Sequence, residues 1–199
     1  MSIRIMKKSI RAAVAAGALL SMGVVASEAE ERAQWIWGEE KGPDNTWRCF
    51  RKEIELDGAP KRAIAKIGAD SKFWLWINGE QVVFEGSAKR GPTPKGTYYD
   101  EVDIAPFLSP GTNSITALVW YWGKSGFSHV DSGQGGFSFL AEIDGTALGS
   151  DASWKTLPHP AYSREKTADP QANYRLSEHN INYFAADNRI EGWQEKGFA

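Results

Sequence analysis

The sequence predicts an all-β fold, a jelly-roll-like antiparallel β-sandwich preceded by a cleaved signal peptide. Three observations carry that prediction. Past the amino-terminal segment almost no apolar residues recur at helical spacing. Short runs rich in β-branched and aromatic residues instead alternate with Gly, Pro, Asn and Asp clusters, the pattern of sandwiches and barrels. Finally, Asn78-Gly79 sits between two apolar runs, and a type I′ hairpin turn needs positive φ at both of its central residues.

The elements follow in chain order. Residues 1–26 carry Arg4, Lys7, Lys8 and Arg11 with no acid, then an unbroken apolar and small-residue stretch from Ala12 to Val25. Small residues at Ala26 and Ala29 offer cleavage points, so the segment reads as a secretory signal peptide, too short to span a bilayer comfortably. Strands are expected near Trp47–Leu56, Arg62–Ala69, Lys72–Ile77, Gln81–Glu85, Glu101–Ile104, Asn113–Trp122, Gly136–Ile143 and Trp154–Leu157. Turns are expected at Asn78-Gly79, at Ser109-Pro110-Gly111-Thr112 and at Asp144-Gly145. The sandwich domain is placed at 33–158. Residues 159–199 turn polar and carry Pro160 and Pro170, so they read as a linker or the start of a following domain.

Charge excludes one class of partner. Of 23 basic side chains four lie in the signal segment, leaving 19 against 25 acidic ones in the remainder. A chain this acidic is a poor general binder of phosphate backbones, so no nucleic acid is expected, and no membrane after cleavage. Export to a secreted or periplasmic location follows from the signal peptide. The one cysteine, Cys49, cannot form an internal disulfide, and its place in a strand-like run suggests a buried thiol.

Most catalytic signatures are missing. The chain has no HExxH, CxxC or GxSxG, and neither Gly133–Gly136 nor Gly91–Thr97 has the Lys placement of a phosphate loop. Asp100, Glu101 and Asp103 supply carboxylates, but spacing alone does not identify a glycosidase pair, and a solvated strand edge is the better reading. No cofactor and no metal are expected. A secreted β-sandwich can hold structural calcium, but no ligand-spaced loop points to one.

Alternation is more informative. Nine Trp, six Tyr and nine Phe all lie beyond residue 30. In Phe73–Ile77 alternation puts Phe73, Leu75 and Ile77 on one face, Trp74 and Trp76 on the other. In Ile115–Trp122, Ala117, Val119 and Tyr121 share a face opposite Leu118, Trp120 and Trp122. Aliphatic residues fill an inter-sheet core better, which turns Trp74, Trp76, Trp120 and Trp122 outward. Apolar residues on both faces leave the reverse orientation open. Outward indoles in that number cover something, either a sugar or a neighbouring domain, with Tyr98, Phe127 and His129 as rim candidates.

A family resemblance rests on specific stretches. TWRCFRK at Thr46–Lys52, ADSKFWLWINGE at Ala69–Glu80 and YYDEVDIAPFL at Tyr98–Leu108, followed by Gly111-Thr112-Asn113, resemble the amino-terminal β-sandwich of bacterial α-L-rhamnosidases of glycoside hydrolase family 78. SDASWK at Ser150–Lys155 and the Gly192-Trp193 and Gly197-Phe198 ending add to it, over residues 34–199. The Asn-Gly hairpin with its Gly-x-Asn strand entry also looks like the galactose-binding-like domains of β-galactosidase-type enzymes, so it marks a superfold before a substrate. Near the tail, Ala185-Ala186-Asp187-Asn188-Arg189 stands where the family pattern leads one to expect Asp-Ala-Arg. The resemblance implies a non-catalytic carbohydrate-binding or accessory module whose parent enzyme carries its catalytic carboxylates in a downstream barrel. The partners it implies are plant or bacterial glycans containing rhamnose and the catalytic domain of that parent. Two alternatives stay open: a domain-packing region without sugar affinity, and a secreted adhesin-like interaction domain.

Overall fold

The computed structural model describes residues 4–6, 33–38, 42–87, 97–125, 129–163 and 183–198. The strands are β1 (Arg4–Met6), β2 (Thr46–Leu56), β3 (Ala63–Asp70), β4 (Lys72–Ile77), β5 (Glu80–Ser87) and β6 (Thr97–Asp103). They continue with β7 (Gly111–Tyr121), β8 (Gly136–Ile143), β9 (Thr146–Gly149), β10 (Lys155–Pro158), β11 (Tyr162–Ser163) and β12 (Tyr183–Phe184). One sheet runs β1-β6-β3-β8-β9, the second β10-β2-β7-β4-β5, and β11 with β12 makes a small third. All pairings are antiparallel.

Period-two alternation builds the core between the two large sheets. Ala63, Ala65 and Ile67 of β3 and Phe137, Phe139 and Ala141 of β8 meet Phe50 of β2, Phe73, Leu75 and Ile77 of β4, and Ile115, Ala117 and Val119 of β7, all fully buried. The indoles of β4 and β7 therefore face outward, as alternation and the aliphatic preference predict.

The Asn-Gly turn is tied to a second loop by side chains. Asn78 (φ 56°) and Gly79 (φ 84°) take the positive φ values that join β4 to β5. Asn78 Nδ2 donates to the Phe107 carbonyl (2.8 Å) and to Asn113 Oδ1 (2.9 Å), while its Oδ1 accepts from the Ser114 amide (2.9 Å). Asn113 in turn donates to the Ser109 (2.7 Å) and Gly111 (2.9 Å) carbonyls. The Asn-Gly and Gly-x-Asn motifs are thus two halves of one hydrogen-bonded staple. Asp144-Gly145, also at positive φ, turns β8 into β9, and the Asp144 carboxylate accepts the Lys61 and Arg62 amides.

Several boundaries differ from expectation. β6 begins at Thr97 rather than Glu101, because β3 and β1 both pair along it. Ile104 leaves the strand yet is wholly buried, its amide held by the Ala63 carbonyl (2.8 Å). β9 was not expected, since its four residues are held chiefly by backbone pairing to β8. β1 falls inside the segment read as a signal peptide, whose residues 7–26 lie outside the described ones.

The largest departure concerns the tail. Residues 189–198 were expected to be linker or the start of another domain, and they lie as a strap across the outer face of the second sheet. Arg51 Nη1 donates to the Trp193 carbonyl (2.8 Å), Ser114 Oγ to the Gln194 carbonyl (2.9 Å) and Lys196 Nζ to Ser109 Oγ (2.9 Å). The Trp193 ring is 4% exposed and packs with Cys49 and Leu118 in a second apolar cluster. The physical reason is that an outward apolar sheet face must be covered, and the strap's few apolar residues cover it.

Candidate functional site

Two places gather the residues singled out by the sequence. The first is the outer face of the second sheet. Trp47 of β2, Trp120 of β7 and Trp74 of β4 form a stack there: Trp47 lies 5.4 Å and 12° from Trp120, and 5.2 Å and 29° from Trp74. Tyr162 covers Trp47 at 4.1 Å and 9°. Trp76 meets Trp193 edge-on at 5.7 Å. Of the four indoles expected outward, Trp76 thus meets the strap's own Trp193, while Tyr162 covers the neighbouring Trp47. What remains open is a cleft of about 590 Å³ between β4–β5 and the strap, bordered by Trp74, Trp76, Gln81, Phe84, His159 and residues Arg189–Gln194. Phe84 is 76% exposed at its mouth.

Burial sets the protonation states around this face. Cys49 is pushed up to about 12 by burial, which outweighs the neighbouring Arg48 cation, so it is an inert thiol. His159 is lowered below its ordinary 6.5, chiefly by burial, and its Nδ1 accepts the Ala161 amide (3.2 Å), which puts the ring proton on Nε2.

The second place is the end of the sandwich where β3 meets β4. The Asp70–Ser71 peptide bond is cis, and there Asp70 Oδ1, Ser71 Oγ and His129 Nε2 form a triangle with sides of 3.0, 3.1 and 3.2 Å. The Ser132 amide donates to Asp70 Oδ2 (3.1 Å). Burial alone would raise the Asp70 pKa, but hydrogen bonds from His129, Ser132 and Ser71 hold it below the ordinary carboxylate value. Asp131 brings a third ligand-type donor, and one atom each from Asp70, His129 and Asp131 lies within 4.8 Å of the others. Among the described residues these three could share a cation. Burial, and then the Asp131, Asp70 and Asp44 carboxylates, raise the pKa of the Tyr121 hydroxyl beside them.

The seven candidates divide accordingly. Trp74 and Trp76 border the cleft. Trp120 bridges the two places, stacked on Trp47 and donating from Nε1 to Asn45 Oδ1 (2.8 Å). Trp122 and His129 sit at the sandwich end with ring centroids 6.0 Å apart. His129 is buried at 5% exposure and paired with Asp70, so it is not an open rim residue. Tyr98 lies on β6 of the other sheet, paired with Ile5 of β1, and Phe127 lies outside the described residues. Trp47, Phe84, Trp193 and Asp70 were not singled out as site residues. Alternation with Cys49 was the available signal for Trp47; the pairing of Asp70 with His129 across 58 intervening positions left none.

A GH78 family rhamnosidase of Bacillus sp. GL1 superposes with a TM-score of 0.67 and 31% identity, covering 84% of this chain and 17% of the enzyme. The chain is similar to one segment of the family 78 rhamnosidases. An α-L-rhamnosidase from Aspergillus terreus (TM-score 0.57, 22% identity, 81% of this chain and 19% of the enzyme) has the same fold in one part. So does the Streptomyces avermitilis α-L-rhamnosidase complexed with L-rhamnose (TM-score 0.53, 18% identity, 84% and 13%). The chain spans less than a fifth of the length of each of these rhamnosidases. No protein-family model matches it, and no curated protein does either.

Proposed function

We propose that this chain is a non-catalytic carbohydrate-binding or accessory module, corresponding to the amino-terminal β-sandwich of a larger exported α-L-rhamnosidase. The observation that carries the reading is the 31% identity over 84% of this chain, set against only 17% of a GH78 rhamnosidase. The cleft supports it. Glycoside hydrolysis needs two carboxyl groups flanking the scissile bond, and among the described cleft residues Glu191 is the one carboxylate, ion-paired to Arg189. The cleft's half-buried indoles and polar rim suit binding in place of chemistry.

The test uses the purified chain. With 4-nitrophenyl α-L-rhamnoside it gives no nitrophenol above the buffer rate, while it is retained on an immobilised rhamnose-containing polysaccharide. Turnover abolished by a carboxylate substitution in this chain would refute the non-catalytic reading. Absence of retention would refute the carbohydrate-binding one.

A further inference from the structure

Coverage of the outer face is uneven. Over the middle of β7 it is complete: the outward Ser114, Thr116 and Leu118 are all buried. At β4–β5 it is not, since Trp76 is half-buried and Phe84 is the most exposed large apolar side chain described. Two aromatic side chains on neighbouring strands thus border an open volume of about 590 Å³. On the far wall Arg189 donates from Nε (3.0 Å) and Nη2 (2.7 Å) to Glu191 Oε1, with both side chains more than half exposed. Gln81 and Gln194 line the same space.

This combination restricts the occupant. Arg189 and Glu191 cancel, so the wall offers planar donors and acceptors without net charge and favours neither a phosphate nor an ionic peptide. The aromatic side recedes into a cleft, so it meets a ring better than a flat protein surface. A pyranose has an apolar C–H face and a hydroxyl edge, and neighbouring hydroxyls can donate to a carboxylate and accept from a guanidinium at once. We infer that this cleft is the saccharide site: a neutral pyranose ring lies over Trp76 and Phe84 and turns its hydroxyl edge to Arg189, Glu191, Gln81 and Gln194. The inference rests on the carbohydrate-binding reading and goes beyond it by placing the sugar at the strap, away from the buried Asp70–His129 end.

The experiment is calorimetric titration of the full chain with L-rhamnose, D-galactose and the anionic D-galacturonate, with Trp emission as a second readout. At least one neutral sugar binds and D-galacturonate binds more weakly. Phe84→Ala and Glu191→Ala, both at exposed positions that leave the melting temperature unchanged, weaken binding of the neutral sugar by about tenfold or more, the scale of losing one anchoring contact. Wild-type affinity in both variants overturns the placement while leaving the carbohydrate-binding reading intact. Failure of the wild-type chain to bind any neutral sugar at millimolar concentration overturns both, and preferential binding of D-galacturonate overturns the neutral-ligand argument.

Discussion

Substituting Trp193→Ala separates the strap from the sandwich. The Trp193 ring packs with Cys49 and Leu118, meets Trp76 at 5.7 Å and His159 at 6.4 Å, and contributes nothing to the inter-sheet core. A buried Trp→Ala change typically costs about 3–5 kcal/mol. Of the three hydrogen bonds that pin the strap, those from Arg51 and Lys196 have charged donors worth about 1.5–3 kcal/mol each, so losing the ring removes an amount comparable to all that remains and raises the detached population of the strap while the core survives. Cys49 reports the event, because it is the chain's one cysteine and is 3% exposed. Its thiol moves from about 12 toward the ordinary 9.0 once uncovered, which at pH 8 raises the thiolate fraction by about a thousandfold. Labelling with iodoacetamide, followed by intact mass, is therefore slow in the wild-type chain and at least about tenfold faster in Trp193→Ala, at unchanged far-ultraviolet circular dichroism. Labelling at the wild-type rate would show that the strap does not shield Cys49. Loss of all β-structure in a single step would show that the strap belongs to the cooperative core.

Three further substitutions probe the titrating groups and the hydrogen-bond networks. Asp70 is held below the ordinary 3.8, so its stabilisation is complete above that value and is lost as pH falls through the lower folded-state pKa; Asp70→Asn flattens the acid limb of urea-melt stability below 3.8. His159 is also lowered, by burial, so stability is complete above 6.5 and declines as pH falls below it until the folded-state pKa is passed; His159→Gln removes that slope in the same melts. Asn78→Ala strips three side-chain hydrogen bonds from the loop staple and leaves an alanine at φ 56°, so denaturant midpoints should report a loss of about 2–4 kcal/mol, and a loss below about 1 kcal/mol would show that the staple is dispensable.

The sandwich was legible because its signals are local. Alternation in Phe73–Ile77 and Ile115–Tyr121 depends on neighbours two residues apart, and Asn78-Gly79 and Asp144-Gly145 name their turns by backbone conformation. The strap was legible only in halves. The outward Trp face read as a surface needing a cover, and Gly192-Trp193 entered only as part of the family resemblance. Nothing local joins Trp193 to Arg51, 142 positions away. The Asp70–His129 pair was hidden for the same reason: neither residue has unusual neighbours, and their meeting is a product of the β3–β4 and β7–β8 connections.

The strap and the cleft share a wall, and that makes sugar binding and Cys49 shielding one equilibrium. Arg189 and Glu191 precede Trp193 on the same segment, so a detached strap takes the hydroxyl-reading groups away from Trp76 and Phe84. A ligand that needs both walls binds the closed form alone and stabilises it by mass action. Labelling of Cys49 proceeds through the open form, so a saturating neutral sugar should slow it by the factor 1 + [L]/Kd, about elevenfold at ten times Kd. Glu191→Ala, which weakens the sugar contact but leaves Trp193 in place, should label at the wild-type rate without sugar and lose the protection with it. Full protection in Glu191→Ala, or none in the wild-type chain at saturation, would mean that the sugar lies elsewhere and the strap serves only to cover the indoles of the second sheet.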